Sequence, residues 1–109
     1  MAFDQGLAQR IREQLADTGE MTEKQMFGGL AFLVDGNMCV GVIGEELIAR
    51  VGLDGTDAAL ERPGSRLFDF SGRPMKGWIT VDPAALEDDD ALAAWIDDAL
   101  GFVRTLPPK

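Results

Sequence analysis

Histidine and tyrosine are absent from the 109 residues, and cysteine occurs once, at Cys39. Without histidine the chain lacks the side chain best suited to acid–base work near neutral pH, which is also the commonest metal ligand. Ser65 and Ser71 therefore have no His-based triad to join. One cysteine excludes an internal disulfide and any Cys-rich zinc site. Cys39 has no basic neighbour in sequence to lower its pKa, so it is expected to be a small core side chain. A lone free thiol also suits a reducing, cytoplasmic setting. No apolar run approaches the ~20 residues of a membrane-spanning helix. The opening MAFDQGLAQRIREQL carries charge from Asp4 onward and does not read as a signal peptide. Cations are few: 10 Lys+Arg stand against 19 Asp+Glu, a net charge of -9. That field repels phosphate, so neither direct nucleic-acid binding nor adsorption to an anionic membrane is expected.

Phosphate-binding glycine motifs are missing as well. There is no GxxxxGK[ST], and no GxGxxG between a strand and a helix. The acidic run Glu87-Asp88-Asp89-Asp90 lacks the alternating ligands, central glycine and closing Glu of a calcium loop, and reads as a solvated helix start. No catalytic residue, cofactor or metal site is assigned, and the chain is not expected to be an enzyme.

What is present is enough for one domain with its own core. Leu7, Ala8, Ile11 and Leu15 form an apolar helical stripe, with Asp4 as N-cap and Gly19 as stop. Lys24 to Val34 reads as one long strand interrupted at Gly28-Gly29, followed by strands at Met38 to Ile43 and Leu47 to Val51. Asp35-Gly36-Asn37 is a strong hairpin signal, and Gly44-Glu45-Glu46 is short enough only for a second hairpin. A short helix is expected over Asp54 to Leu60, ended by Pro63-Gly64. Two further strands follow, Leu67 to Phe70 and Trp78 to Val81, joined by a loop over Ser71 to Gly77. Leu92, Trp95, Ile96, Ala99 and Val103 make a final helical stripe, with acids at its start and Arg104 near its end, as the helix dipole favours. The expected fold is α+β: a two-layer sandwich of a mostly antiparallel five-stranded sheet with helices on one face, in the order α-β-β-β-α-β-β-α. Leu7, Ile11, Leu15, Phe32, Trp95, Ile96 and Val103 are the expected core.

One segment departs from the acidic background. Arg62, Arg66, Arg73 and Lys76 against Asp69 give residues 62–76 a net of +3, while the rest of the chain sums to -12. Within it, Gly72 to Trp78 combines two cations, a flexible turn, Met75 and an aromatic ring, a content loops often use for function. Gly28-Gly29 inside a strand pattern signals either a bulge or close backbone approach, or a notch open to a partner. The candidate partner or anion contacts are thus Gly28, Gly29, Arg66, Arg73, Met75 and Lys76. Convergence of the cations beside Gly28-Gly29 would build an anion recess. The alternative is a structural turn with solvated charges.

Met26-Phe27-Gly28-Gly29, the following Leu30 to Met38, the Leu47 to Gly52 strand and the GRPMKGW stretch from Gly72 to Trp78 together resemble the TfoX N-terminal domain family. The resemblance runs over residues 4–105, leaving 106–109 as a tail. It implies a fold like that of secretion chaperones and a stand-alone N-terminal domain, without the C-terminal helical domain of the family's namesake, a bacterial competence regulator. The function it implies is a non-enzymatic binding or regulatory module, acting through protein–protein contacts in transcription or competence regulation. The alternative is an anion-binding domain or small enzyme built on Arg73 and Lys76. A homodimer is expected, because sheet edges invite pairing and the secretion chaperones often pair.

Overall fold

The structure, a computed structural model, describes residues 3–16, 21–26, 28–70 and 72–107. The chain runs α1 (Gln5–Leu15), β1 (Met21–Met26), β2 (Gly29–Val34), β3 (Asn37–Ile43), β4 (Glu46–Arg50), α2 (Gly52–Leu60), β5 (Ser65–Phe70), β6 (Arg73–Val81) and α3 (Asp89–Val103), with a 3-10 turn over Pro83–Leu86 before α3. The class is α+β, but the described residues hold six strands rather than five, in the order β1-β2-β3-β4-β6-β5 with every neighbouring pair antiparallel.

Two expectations need correction, and the first accounts for the sixth strand. The single strand expected over Lys24 to Val34 is a hairpin: Met26 pairs with Gly29 and Lys24 with Ala31. Gly28 makes the reversal at φ +74°. Gly28 therefore belongs to a turn and Gly29 opens the next strand. The loop expected over Ser71 to Gly77 is largely strand, because β6 begins at Arg73 and pairs with β5 through Phe70↔Arg73, Asp69↔Pro74 and Phe68↔Met75. The ladder then jumps, with Leu67 opposite Ile79, so Lys76, Gly77 and Trp78 bulge out of the β5 pairing. Such a bulge bends a strand and re-aims its side chains.

The remaining elements follow from local chemistry. The Asp4 carboxylate accepts from the Gly6 and Leu7 amides at 2.8 and 3.3 Å and caps α1. The stop expected at Gly19 lies outside the described residues. Asp88 caps α3 by accepting from the Asp90 amide. Asp35 (φ 52°) and Gly36 (φ 83°) make the β2–β3 hairpin with positive φ at both turn residues, the arrangement whose twist matches two paired strands.

Period-two alternation sorts the sheet into two faces. Leu30, Val42, Leu47 and Val81 form one cross-strand row, and Phe32, Val40, Ala49 and Ile79 the next. Both rows join a core with Leu7, Ile11 and Leu15 of α1, Ala59 of α2, and Leu92, Trp95, Ile96, Ala99 and Val103 of α3. All seven expected core residues are buried. Polar ties fix the helices in place. Arg12 holds Glu23 of β1 with two hydrogen bonds, and Arg10 bonds the Leu86 carbonyl and Asp89. Arg62, at the end of α2, pairs with Asp98 of α3 at 2.5 Å and lies 3.5 Å from the centre of the Trp95 ring. Edge strand β1 shows exposed Glu23 and Lys24, charges that discourage strand addition.

Cys39 is fully buried in the same core. Burial pushes its thiol up to about 12, with Arg104 and Arg50 only partly opposing it. A buried thiol stays protonated where an unfolded one ionises, so the unfolded state holds fewer protons above the ordinary thiol value of 9.0. Stability from this group is complete below about pH 9 and declines as pH rises toward about 12. Urea midpoints measured across that range are expected to fall for the native sequence and to fall less for Cys39→Ala. Equal slopes, or rapid thiol labelling of the native protein at neutral pH, would contradict the burial.

Candidate functional site

Among the described residues, no helix lies on the second face of the sheet. Its central row is Ala31↔Gly41↔Ile48↔Thr80↔Arg66. Ala31 and Gly41 contribute one methyl group and none, so the middle of this face is sunken for want of side chain. Larger residues rise around it: Leu33 and Met38 on the β2–β3 hairpin, Ile43 on β3, Phe68 on β5, and Met75 and Trp78 on β6. Together they enclose a groove of about 370 Å³, within the range of sites that hold one small molecule. Phe68 and Met75 reach it because the β6 bulge brings them opposite one another. Ile48 is only 2% exposed although no helix among the described residues covers it, so the rim itself shields the floor.

Arg50 is the cation of this groove. It is half-buried, and its guanidinium carbon lies 5.1 Å from the centre of the Trp78 ring and 5.5 Å from that of Phe102. Its Nη1 donates to the Met38 carbonyl at 3.5 Å. Gly52 brings Phe102 there: at φ +80°, a Cβ on residue 52 would stand 2.4 Å from the Phe102 ring. Both rings lie within cation–π reach of the guanidinium, whose N–H groups can still bond a guest.

The residues singled out in the sequence distribute unevenly. Met75 is on the groove rim and 37% exposed. Arg66 pairs with Glu46 and Asp82, and both carboxylates raise its pKa. Arg62 is likewise engaged, between Asp98 and Trp95. Arg73 and Lys76 are exposed and make no ion pair among the described residues. They do not meet the Gly28-Gly29 turn. Gly29 adjoins the Leu30–Val42–Leu47–Val81 row, on the side of Glu46 and Asp82. Arg73 lies beyond Trp78 and Arg50, toward the opposite end of the strands. The two features that were to form one recess therefore lie apart. Gly29 has a packing reason instead, since a Cβ there would sit 2.1 Å from the Val42 carbonyl oxygen.

Arg50 and Trp78 form the charged end of the groove, and of the two only Trp78 stands out in the sequence, as the aromatic ring of the Gly72 to Trp78 segment. The signal for Arg50 was available: one charge in the otherwise apolar strand Leu47–Val51. Its strand neighbours Ala49 and Val51 enter the core, which leaves residue 50 for the other face. The apolar groove also required cross-strand neighbours from five strands, and those come only with the register.

This is an α+β domain with a helix-covered core on one side and an apolar, singly charged groove on the other. The family model of the TfoX N-terminal domain matches residues 13–103, and the chain belongs to that family. Comparison with curated proteins gave no match, and neither did comparison with solved structures. No helix among the described residues is long and apolar enough to cross a membrane.

Proposed function

We propose that this chain is a non-enzymatic, competence-regulator-like binding module that contacts a protein partner through the helix-free face of its sheet. The observation that carries the reading is the groove itself: a concave, apolar surface on the sheet face that the fold leaves without a helix. Membership of the TfoX N-terminal domain family supports a regulatory role, in competence or transcription. Met38 and Met75 supply unbranched, polarizable side chains on the groove wall, a composition suited to adaptable contact. Arg73 and Lys76 stand beside Met75 in the chain and add positive charge to a protein of net charge -9. An acidic partner surface fits that combination.

The test is a pair of baits, the native chain and Met75→Glu. Met75 is partly exposed, so the substitution is expected to shift the urea midpoint little while placing a charge on the apolar rim. Proteins retained by the native chain from its own cell extract are expected to be lost from the variant. An unchanged set of retained proteins would place the working surface elsewhere on the molecule.

A further inference from the structure

Arg10, Arg12 and Arg62 are half-buried, and each holds a carboxylate of this chain. Arg50 is half-buried too, yet no ion pair joins it to any carboxylate among the described residues, in a chain that has 19 Asp and Glu. Its one hydrogen bond among the described residues is the long contact to the Met38 carbonyl. A guanidinium has five N–H donors in a planar fork that matches the two oxygens of a carboxylate. Trp78 and Phe102 lie within cation–π reach of the Arg50 guanidinium, which favours its place at the end of the groove before any guest arrives. Beside it lies the apolar groove floored by Ala31, Gly41 and Ile48. One cation at the end of an apolar recess selects a guest with one negative charge and an apolar body. The volume, about 370 Å³, is within the range of sites that hold a single small molecule.

We propose that this groove binds a small apolar monocarboxylate, with its carboxylate on the Arg50 fork and its tail over Ala31, Gly41 and Ile48. The proposal rests on reading the helix-free face as the functional one, and it names the guest that the face takes. Binding excludes water from the floor and closes the half-buried arginine that has no ion pair among the described residues. A dianion such as a phosphate monoester finds only one fixed cation here. A neutral amide of the same shape keeps the apolar contacts and loses the charge-assisted pair.

The experiment titrates the full chain with octanoate and with octanamide, following the Trp78 indole N–H and the Met75 methyl by NMR. Octanoate is expected to shift both signals and to bind at least about tenfold more tightly than octanamide, the scale of one charge-assisted hydrogen-bonded pair. In Arg50→Gln, octanoate affinity is expected to fall to the octanamide level while octanamide affinity stays the same. Equal affinity of the native chain for the two compounds overturns the proposal. So does the absence of any shift with octanoate at about 10 mM. Comparing two ligands on the native protein decides the matter even if Arg50→Gln folds poorly. Either failure leaves the protein-contact reading intact, since that reading is decided by the Met75→Glu bait.

Discussion

Phe32→Ala is expected to cost about 3–5 kcal/mol of folding stability, the range for removing a large buried aromatic side chain. Phe32 is completely buried on β2, one of the inner strands. It stands between Glu23 of β1 and Val40 of β3 in the ladder and points into the core shared with the helices. Strands on both sides are hydrogen-bonded to β2, so the backbone cannot close over the cavity, and collapse must come from side chains alone. A 109-residue domain has only ~5–15 kcal/mol of stability, so the loss is a large part of the total. The urea midpoint is expected to drop sharply with an unchanged slope, because the surface exposed on unfolding is nearly the same. A drop no larger than that of a surface substitution, about 0.5 kcal/mol, would remove Phe32 from the core.

The helix-side half of this protein was legible from its residues, and the reason is physical. Asp4, Asp35-Gly36, the apolar stripe of α3 and the acids at its start each act within a few positions of themselves, so local order reports them. Residues 24–34 were harder, because a glycine pair between two runs of strand-like residues fits a kink as well as a reversal. Gly28 and its positive φ decide for the reversal. Residues 72–77 misled for the opposite reason. Gly72, Pro74 and Gly77 are turn residues by composition, and Arg73 to Lys76 are all exposed, so no alternation marks a strand. Pairing with β5 holds them in the sheet nonetheless. The groove lay further out of reach. Its floor is a row of Ala31, Gly41 and Ile48 taken from three strands, and each residue alone looks unremarkable.

Gly29→Ala is expected to destabilise the domain well beyond Gly28→Ala, although the two residues are adjacent and the added group is one methyl. At residue 28 the cost is conformational. The backbone sits at φ +74° with nothing within 4 Å of a new Cβ, so alanine meets the left-handed penalty of roughly 1–2 kcal/mol and no clash. At residue 29 the cost is steric. The new Cβ would lie 2.1 Å from the Val42 carbonyl oxygen, 3.1 Å from its carbon and 3.0 Å from Ile43 Cγ1. Val42 cannot retreat cheaply, because it is paired with Leu30 on one side and Leu47 on the other. Overpacking against a flexible side chain costs about 1–3 kcal/mol. Here the obstacle is strand backbone, so the expected loss is at or above the top of that range. The loss is also expected to be local in origin. Amide hydrogen exchange is expected to accelerate first along the Leu30–Val42 end of the β2–β3 ladder in Gly29→Ala, and to stay near native there in Gly28→Ala. Equal destabilisation by the two variants would mean that β2 can move away from β3 at this point, and that Gly29 serves the turn rather than the close approach of two strands.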